Sequence, residues 1–445
     1  MELEQHMTIE TRRNNAVTTA SGPTNAIRTA RSFAEDQGAE SFGAGEANYY
    51  AYRWNVEEEK SKLRDLSRVS ILDSTLREGE QSVGISFSKR QRLQIAWMLD
   101  YFGVDFIEIS PVISEAHRES LREMQRAGFA AKIVSHGRAL PEDVDVGRAC
   151  DVEWVAMYHS VSDIHLRSKL HITREMALER SIKAIEYAKS HGLKLRFTVE
   201  DASRANPEYL SQFISDATRA GADRIGIPDT VGVMLPRGMI RLIELARQAT
   251  DRPIDVHCHN DLGLALANSL AAVEAGADQI HCTIDGLGER VGIASLAEVT
   301  MALRLLYGAK RNFRYEMLGE LSALIANYSN TSVPATRPLV GRNAYTHKAG
   351  THLAAIIRNP EAYELIPPSE VGNSRRVVFG ELSGKNGAAF LLRTLGIEPS
   401  LETSQKLAQG LKNLRCGDLF ELGLTDKLEA EAVQASEKIA AATAR

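Results

Sequence analysis

Short β-branched runs alternate with amphipathic helical stretches along this chain from about residue 68 to about residue 325. The runs cover 69–72, 104–109, 131–134, 152–157, 194–199, 224–227, 254–256 and 279–284. Between them, apolar residues recur with helical spacing, as over 88–101, 173–190, 207–220 and 264–275. Several of these stretches stop at a glycine, among them Gly128, Gly192, Gly221 and Gly276, where a left-handed cap can end a helix. Eight strand-then-helix repeats predict an α/β fold, a (β/α)8 TIM barrel over residues 68–325. An open doubly wound sheet is the competing topology.

In such a barrel the chemistry gathers at the C-terminal ends of the strands. The unusual polar runs fall there. The first strand leads into Asp73-Ser74-Thr75-Leu76-Arg77-Glu78-Gly79-Glu80-Gln81 and the third into Ser135-His136-Gly137-Arg138. The fifth carries Arg196-Phe197-Thr198-Val199-Glu200-Asp201, and the sixth Pro228-Asp229-Thr230-Val231-Gly232. The seventh ends in His257-Cys258-His259-Asn260-Asp261, and the eighth in Asp285-Gly286-Leu287-Gly288-Glu289-Arg290.

Outside the barrel the pattern changes. Residues 1 to about 45 are rich in Ala, Ser, Thr, Gly and charge, with one short helical pattern at 26–34, and the segment before the barrel runs to residue 67. It reads as a partly disordered N-terminal extension, or as an arm that packs on a partner subunit. After residue 325 the alternation stops, and 326–445 is expected to form a smaller, mainly helical C-terminal subdomain with a frayed tail at 434–445.

Composition narrows the function classes. A formal net charge of -5 and no basic stripe speak against a nucleic-acid partner. No apolar run approaches the ~18 residues that span a bilayer, and the N-terminus lacks the apolar core of a secretory signal. The cysteines Cys150, Cys258, Cys282 and Cys416 form no CxxC pair, which fits a reducing, cytoplasmic location.

His257 and His259, two apart on a strand, project to one face. Taken alone, the pair also fits an ordinary buried or surface pair. Strands one and seven are separated only by strand eight, so Glu78 would approach both imidazoles and complete a divalent-metal site with open positions for a bidentate 2-oxo acid. An internal ion pair of Glu78 with Arg77 or another barrel arginine is the competing reading. His136, Arg196 and Thr198 form a second group suited to a distal anion. Against it stand a neutralising pair between Arg196 and Glu200 and a satisfied interior His136. The spacing G-x-G-x-x-x-G at 286–292 misses the dinucleotide fingerprint and reads as a turn that brings backbone close to the site, with amides free to meet an anion.

These stretches together resemble the acyl-CoA-condensing branch of the metal-dependent TIM-barrel lyases and synthases, which holds isopropylmalate, citramalate, homocitrate and Re-type citrate synthases. The likeness covers roughly residues 68–395. Within it the chain is most similar to homocitrate synthase. The signs are Glu78 where isopropylmalate synthases usually carry Asp, the runs at 135–138 and 196–201, His347-Lys348-Ala349-Gly350-Thr351-His352, and Asn359-Pro360-Glu361-Ala362-Tyr363-Glu364. The resemblance implies that Glu78, His257 and His259 hold a divalent metal (Mg, Mn or Zn), with acetyl-CoA as co-substrate. Arg77 would stabilise an oxyanion, Gln81 and Thr230 would hold the head of the 2-oxo acid, and His136, Arg196 and Thr198 its distal anion. Glu200, His352 and Tyr363 would move protons. A packed core tyrosine at 363 and a helix-capping histidine at 352 are the competing readings.

Departures from the homocitrate pattern leave the oxo acid open. They are Gly137, Thr198, Val291-Gly292-Ile293 and a loop after strand two, Ser110-Pro111-Val112, that is one residue short. Oxaloacetate, or a phosphonate or phosphinate analogue of it, competes with 2-oxoglutarate. A branched apolar oxo acid is disfavoured because it would leave Arg196 buried and unpaired. The chain stops where isopropylmalate synthases continue into a regulatory domain, so feedback through such a domain is not expected. The expected protein is a homodimer in which residues 330–445 help cover a barrel mouth. A lyase of the same fold and a non-catalytic binding subunit are the rivals.

Overall fold

The computed structural model describes Asn55 and residues 64–330, 332–357, 359–413 and 420–423. The predicted helix at 26–34 and the tail at 434–445 lie outside the described residues. Eight parallel strands close into a barrel in sequence order: β1 (Ser70–Asp73), β2 (Phe106–Ile109), β3 (Lys132–Arg138), β4 (Trp154–Ser160), β5 (Lys194–Glu200), β6 (Arg224–Asp229), β7 (Ile254–Cys258) and β8 (Gln279–Cys282). Closure is made by β8 pairing with β1, with Leu72 opposite His281. This is the predicted barrel, not the open sheet.

Alternation along each strand sorts the residues. Outward positions such as Ile71, Ile107, Val155, Leu195, Ile225, Val256 and Ile280 belong to the main core under the surrounding helices. Inward positions at the base, Leu72, Phe106, Val134, Trp154 and Ala156, pack as a separate plug inside the barrel. Phe106 and Trp154 meet edge to face there, 5.7 Å apart. One step higher the inward positions turn polar, with Glu108, Arg196, Asp255 and His281 all buried. The barrel is therefore filled below and chemically equipped above.

The strands β3, β4 and β6 run further toward the mouth than their apolar pattern indicated, to Arg138, Ser160 and Asp229. The last inward residues of β3 and β4 are polar and those of β6 are Gly226 and Pro228, so the hydrophobic period fades while the backbone pairing continues. In contrast, β8 stops at Cys282, because Ile284–Gly286 tightens into a helical turn with Asp285 at φ 57.

Helices cap as their sequences suggest. Ser88 and Gln91 close a reciprocal capping box at the start of Lys89–Phe102, and Gly128, at φ 68, ends Glu115–Ala127. The C-terminal region has the expected helices, Gly350–Ile356, Lys385–Thr394 and Leu401–Leu411. It also holds a three-stranded sheet that the helical expectation did not include: β9 (Thr346–His347), β10 (Arg376–Phe379) and β11 (Phe420–Gly423), in the order β11-β10-β9. Strands of two to four residues are too short for a period to show. Leu353, Val377, Phe379, Phe390 and Leu391 form this region's own core. Among the described residues, no helix is long and apolar enough to cross a membrane.

Candidate active site

The barrel mouth holds a cavity of about 220 Å³. Arg77, Glu78, Gln81, His136, Arg196, Thr198, Glu200, Thr230, His257 and His259 all line it. His352 and Tyr363 do not line it. Their rings stack on each other in the C-terminal region, with centroids 4.0 Å apart, and Tyr363 is 50 % exposed. That exposure removes the reading of Tyr363 as a packed core tyrosine.

Glu78 follows β1 at the entrance of the turn Gly79–Gln81. His257 Nε2 lies 3.8 Å from Glu78 Oε2, and His259 Nε2 lies 4.0 Å from Oε1. One ligand atom from each residue falls within 4.8 Å of the others, and all three residues are buried. Neighbouring ligands around an ion with ~2.1 Å bonds are ~3–4 Å apart, so the set fits a divalent ion. Burial, with the Arg77 charge next, holds His257 well below the usual histidine range, and burial lowers His259 as well. Both rings are thus neutral, the form that ligates.

The predicted turn at 286–292 does approach this cluster. The Glu289 amide donates to Glu78 Oε1 at 2.8 Å. A Cβ on Gly288 would fall 2.8 Å from that same oxygen, so only glycine lets the backbone in. The anion that meets these amides is Glu78 itself. The ion pair between Arg77 and Glu78 is also present, from Arg77 Nη1 to Oε2. The two readings of Glu78 coexist in one geometry.

Below the cavity a line of charges runs through the barrel. Arg77 Nε donates to Glu108 Oε2 at 2.8 Å, and Ser74 donates to the same oxygen at 2.7 Å. The other oxygen of Glu108 accepts from Arg196 Nη2, and Arg196 Nη1 meets His281 Nε2 at 3.1 Å. His281 Nε2 stands 3.6 Å from Asp255, which accepts from Arg224 Nε at 2.8 Å. Burial pushes the Glu108 carboxyl up, but the Arg196 and Arg77 guanidiniums outweigh it and hold it well below its ordinary value. Burial and then the Arg77 charge push His136 down to about 3.

This line corrects two sequence readings. Arg196 is neutralised by Glu108, not by Glu200. Glu200 is bound instead by Lys169 Nζ at 2.8 and 2.7 Å and by the Ser160 hydroxyl. Arg196 is buried but already paired, so the argument against a branched apolar oxo acid loses its footing. A further departure also resolves. The site of a Cβ on Gly137 points at Asp143, 3.0 Å away, on the side of β3 that faces the helices, so Gly137 has no bearing on the pocket.

Sequence reasoning missed Glu108, Tyr158 and His281, and it placed Glu289 and Arg290 at the mouth without a role; all five line or support the cavity. For Glu108 and His281 a signal existed. Glu108 is the one polar residue of β2, two positions from the inward Phe106, and His281 stands two positions from the inward Gln279, with apolar residues on the alternate positions of β8.

The HMGL-like family model matches residues 68–325, and the model described as homocitrate synthase post-HMGL domain-like matches residues 339–417. The homocitrate synthase AksA of Methanopyrus kandleri is 44% identical over 347 residues, spanning 78% of this chain and 87% of that one. A probable 2-isopropylmalate synthase of the same organism is 45% identical over 348 residues, 78% of this chain and 70% of its own. The homocitrate synthase of Sulfolobus acidocaldarius is 41% identical over 375 residues, 82% and 80% of the two chains. Among solved structures, the HMG-CoA lyase of Bacillus subtilis superposes with a TM-score of 0.56 at 17% identity, over 63% of this chain and 98% of that one, a likeness of fold alone. With its barrel matched from first strand to last and its C-terminal region matched as well, the chain belongs to the HMGL-like family, among members that carry a homocitrate synthase-type domain behind the barrel.

Proposed function

We propose that this protein is an acyl-CoA-dependent acyltransferase that condenses acetyl-CoA with a 2-oxo acid and releases CoA, with 2-oxoglutarate and homocitrate as the best-supported substrate and product. The observation that carries the reading is the buried Glu78–His257–His259 cluster with Arg77 beside it, in a chain whose relatives are named homocitrate and 2-isopropylmalate synthases.

Glu78, His257 and His259 hold a divalent ion, which when bound supplies Lewis-acid polarisation of the ketone. Arg77, fixed by Glu78 and Glu108, presents its guanidinium where negative charge develops on the former ketone oxygen. Gln81 at the rim and Thr230 hold the oxo-acid head, and His136, Arg196 and Thr198 face its distal end. Glu200, at the mouth, takes part in proton transfer at the thioester methyl. His352 and Tyr363 complete the proton transfers from a second copy of the chain, in a homodimer whose 330–445 regions cover the barrel mouths. Their stacking on an exposed surface, away from the cavity of their own chain, supports that placement. Buried, unpaired Cys150, Cys258 and Cys282 fit a cytoplasmic enzyme.

A second reading, an isopropylmalate-type synthase, is favoured by one specific observation. Arg196 has its charge met within the protein, so an apolar oxo acid strands no buried cation. Oxaloacetate and phosphonate analogues remain within the same chemistry. CoA release by the metal-replete protein, with acetyl-CoA and each of 2-oxoglutarate, oxaloacetate, phosphonopyruvate and 2-oxoisovalerate, separates these readings. Preference for 2-oxoglutarate is expected; release with none of the four would defeat the condensation reading.

A further inference from the structure

We propose that Tyr158 is a substrate-contacting, specificity-determining residue whose hydroxyl donates to the distal group of the oxo acid. The inference rests on the condensation reading above. It starts from strand order. β4 lies between β3 and β5, and Tyr158 is in register with Arg138 on one side and Thr198 on the other. Trp154 and Ala156 belong to the barrel plug, so the next inward residue, Tyr158, is the first on this strand to enter the cavity.

The ring is held on its faces. It stacks on the His136 imidazole with centroids 5.2 Å apart and planes 9° from parallel, and the Lys169 ammonium stands 5.8 Å from its centroid. The hydroxyl, in contrast, has no hydrogen-bond partner among the described residues. The Thr198 hydroxyl on the adjacent strand has none either. Gly226 beside it keeps the space open, because a Cβ there would lie 2.5 Å from Thr198 Oγ1.

Most of the other polar groups at this end of the cavity are already engaged. Arg196 is taken by Glu108 and His281, Glu200 by Lys169, and His136 Nδ1 lies 3.3 Å from Ser110 Oγ. What remains for a ligand, beside His136 Nε2, is a pair of hydroxyls on neighbouring strands, at one level, against an aromatic wall. Burial and then the Glu200 charge raise the Tyr158 phenol above its usual range, so it stays a donor through neutral pH. Two O–H donors suit the oxygens of a carboxylate or phosphonate and offer nothing to an alkyl group. Tyr158 thereby discriminates between anionic and apolar oxo acids without adding a charge to a barrel whose charges already balance.

The test is Tyr158→Phe, which keeps the ring and its stack on His136 and deletes only the donor. Turnover is compared across 2-oxoglutarate, oxaloacetate and 2-oxoisovalerate, and binding of the same acids to the Mg-loaded protein is followed by calorimetry. We expect the preference for an anionic over the apolar acid to fall by about tenfold or more, through KM rather than kcat, with the KM for acetyl-CoA unchanged. An unchanged preference in both measurements, or an equal loss for every acid, overturns the assignment. If the parent protein turns over none of the acids, the condensation reading fails separately, and the calorimetry still decides whether the hydroxyl contacts an oxo acid.

Discussion

Arg77 donates from Nε to Glu108 Oε2 at 2.8 Å, so the guanidinium that faces the cavity is anchored from the neighbouring strand β2. Glu108 is fully buried and also pairs Arg196, so one carboxylate compensates two cations. Glu108→Gln keeps the shape and removes the charge. Arg77 keeps Glu78, but Arg196 loses its anionic partner, and a buried guanidinium left uncompensated costs about 3–5 kcal/mol. Urea denaturation should show a loss of that size, and a midpoint like the parent's would mean that water or another anion already serves these arginines.

His259→Ala deletes one nitrogen from the candidate metal set. Metal content after dialysis should fall from near one equivalent to near zero, CoA release should fall by about a hundredfold or more, and the unfolding transition should stay cooperative. Full metal content and turnover in this variant would reject His259 as a ligand.

The pH dependence of stability in chelator-treated protein follows from groups inside the barrel. His136 is pushed down to about 3 by burial and then the Arg77 charge, and burial followed by the Arg196 charge lowers His281. In the unfolded chain each imidazole binds a proton near pH 6.5, so below that pH the unfolded state holds more protons and stability falls as the pH drops. Asp73, raised by burial to about 7, acts in the opposite sense: its contribution is present at low pH and is lost as the pH rises through 7. The histidines outnumber it. The net expectation is a thermal midpoint that falls as the pH drops below about 6.5, the more so because burial also lowers His257 and His259. His136→Asn should flatten that slope; an equal slope would show that His136 does not titrate on unfolding.

His352 and Tyr363 stack together outside the cavity of their own chain. If they serve a second copy, His352→Ala and His259→Ala chains, each inactive alone, complement when mixed and allowed to exchange. Statistical pairing would restore about a quarter of the parent's turnover, because half the dimers would hold one intact site. No recovery, with exchange verified by mass, would place the site within a single chain.

The barrel and most of the cavity lining were legible in linear order. Strand number, strand order and the polar runs at strand ends can all be read locally, because inside–outside alternation has a period of two and helix faces a period near four. The Glu78–His257–His259 cluster was legible too: His257 and His259 are two apart on one strand, and the closed barrel leaves Glu78 little choice of neighbours. Where the inward positions turned polar, or at β6 became Gly226 and Pro228, the period vanished and with it the true ends of β3, β4 and β6.

Pairing among the charges was not legible. Glu108 and Arg196 are 88 residues apart, and nothing in their local sequence distinguishes that pair from Arg196 with Glu200, four residues away on the same strand. The barrel decides, because inward side chains at one level meet across the interior while neighbours along a strand stand at different depths. The same holds for Tyr158, which reads as part of an ordinary strand until closure sets it between His136 and Thr198. Local periodicity specifies which elements form and which way they face; only closure of the sheet specifies which distant side chains share a dielectric and neutralise one another, since that depends on distances through the interior and not along the chain.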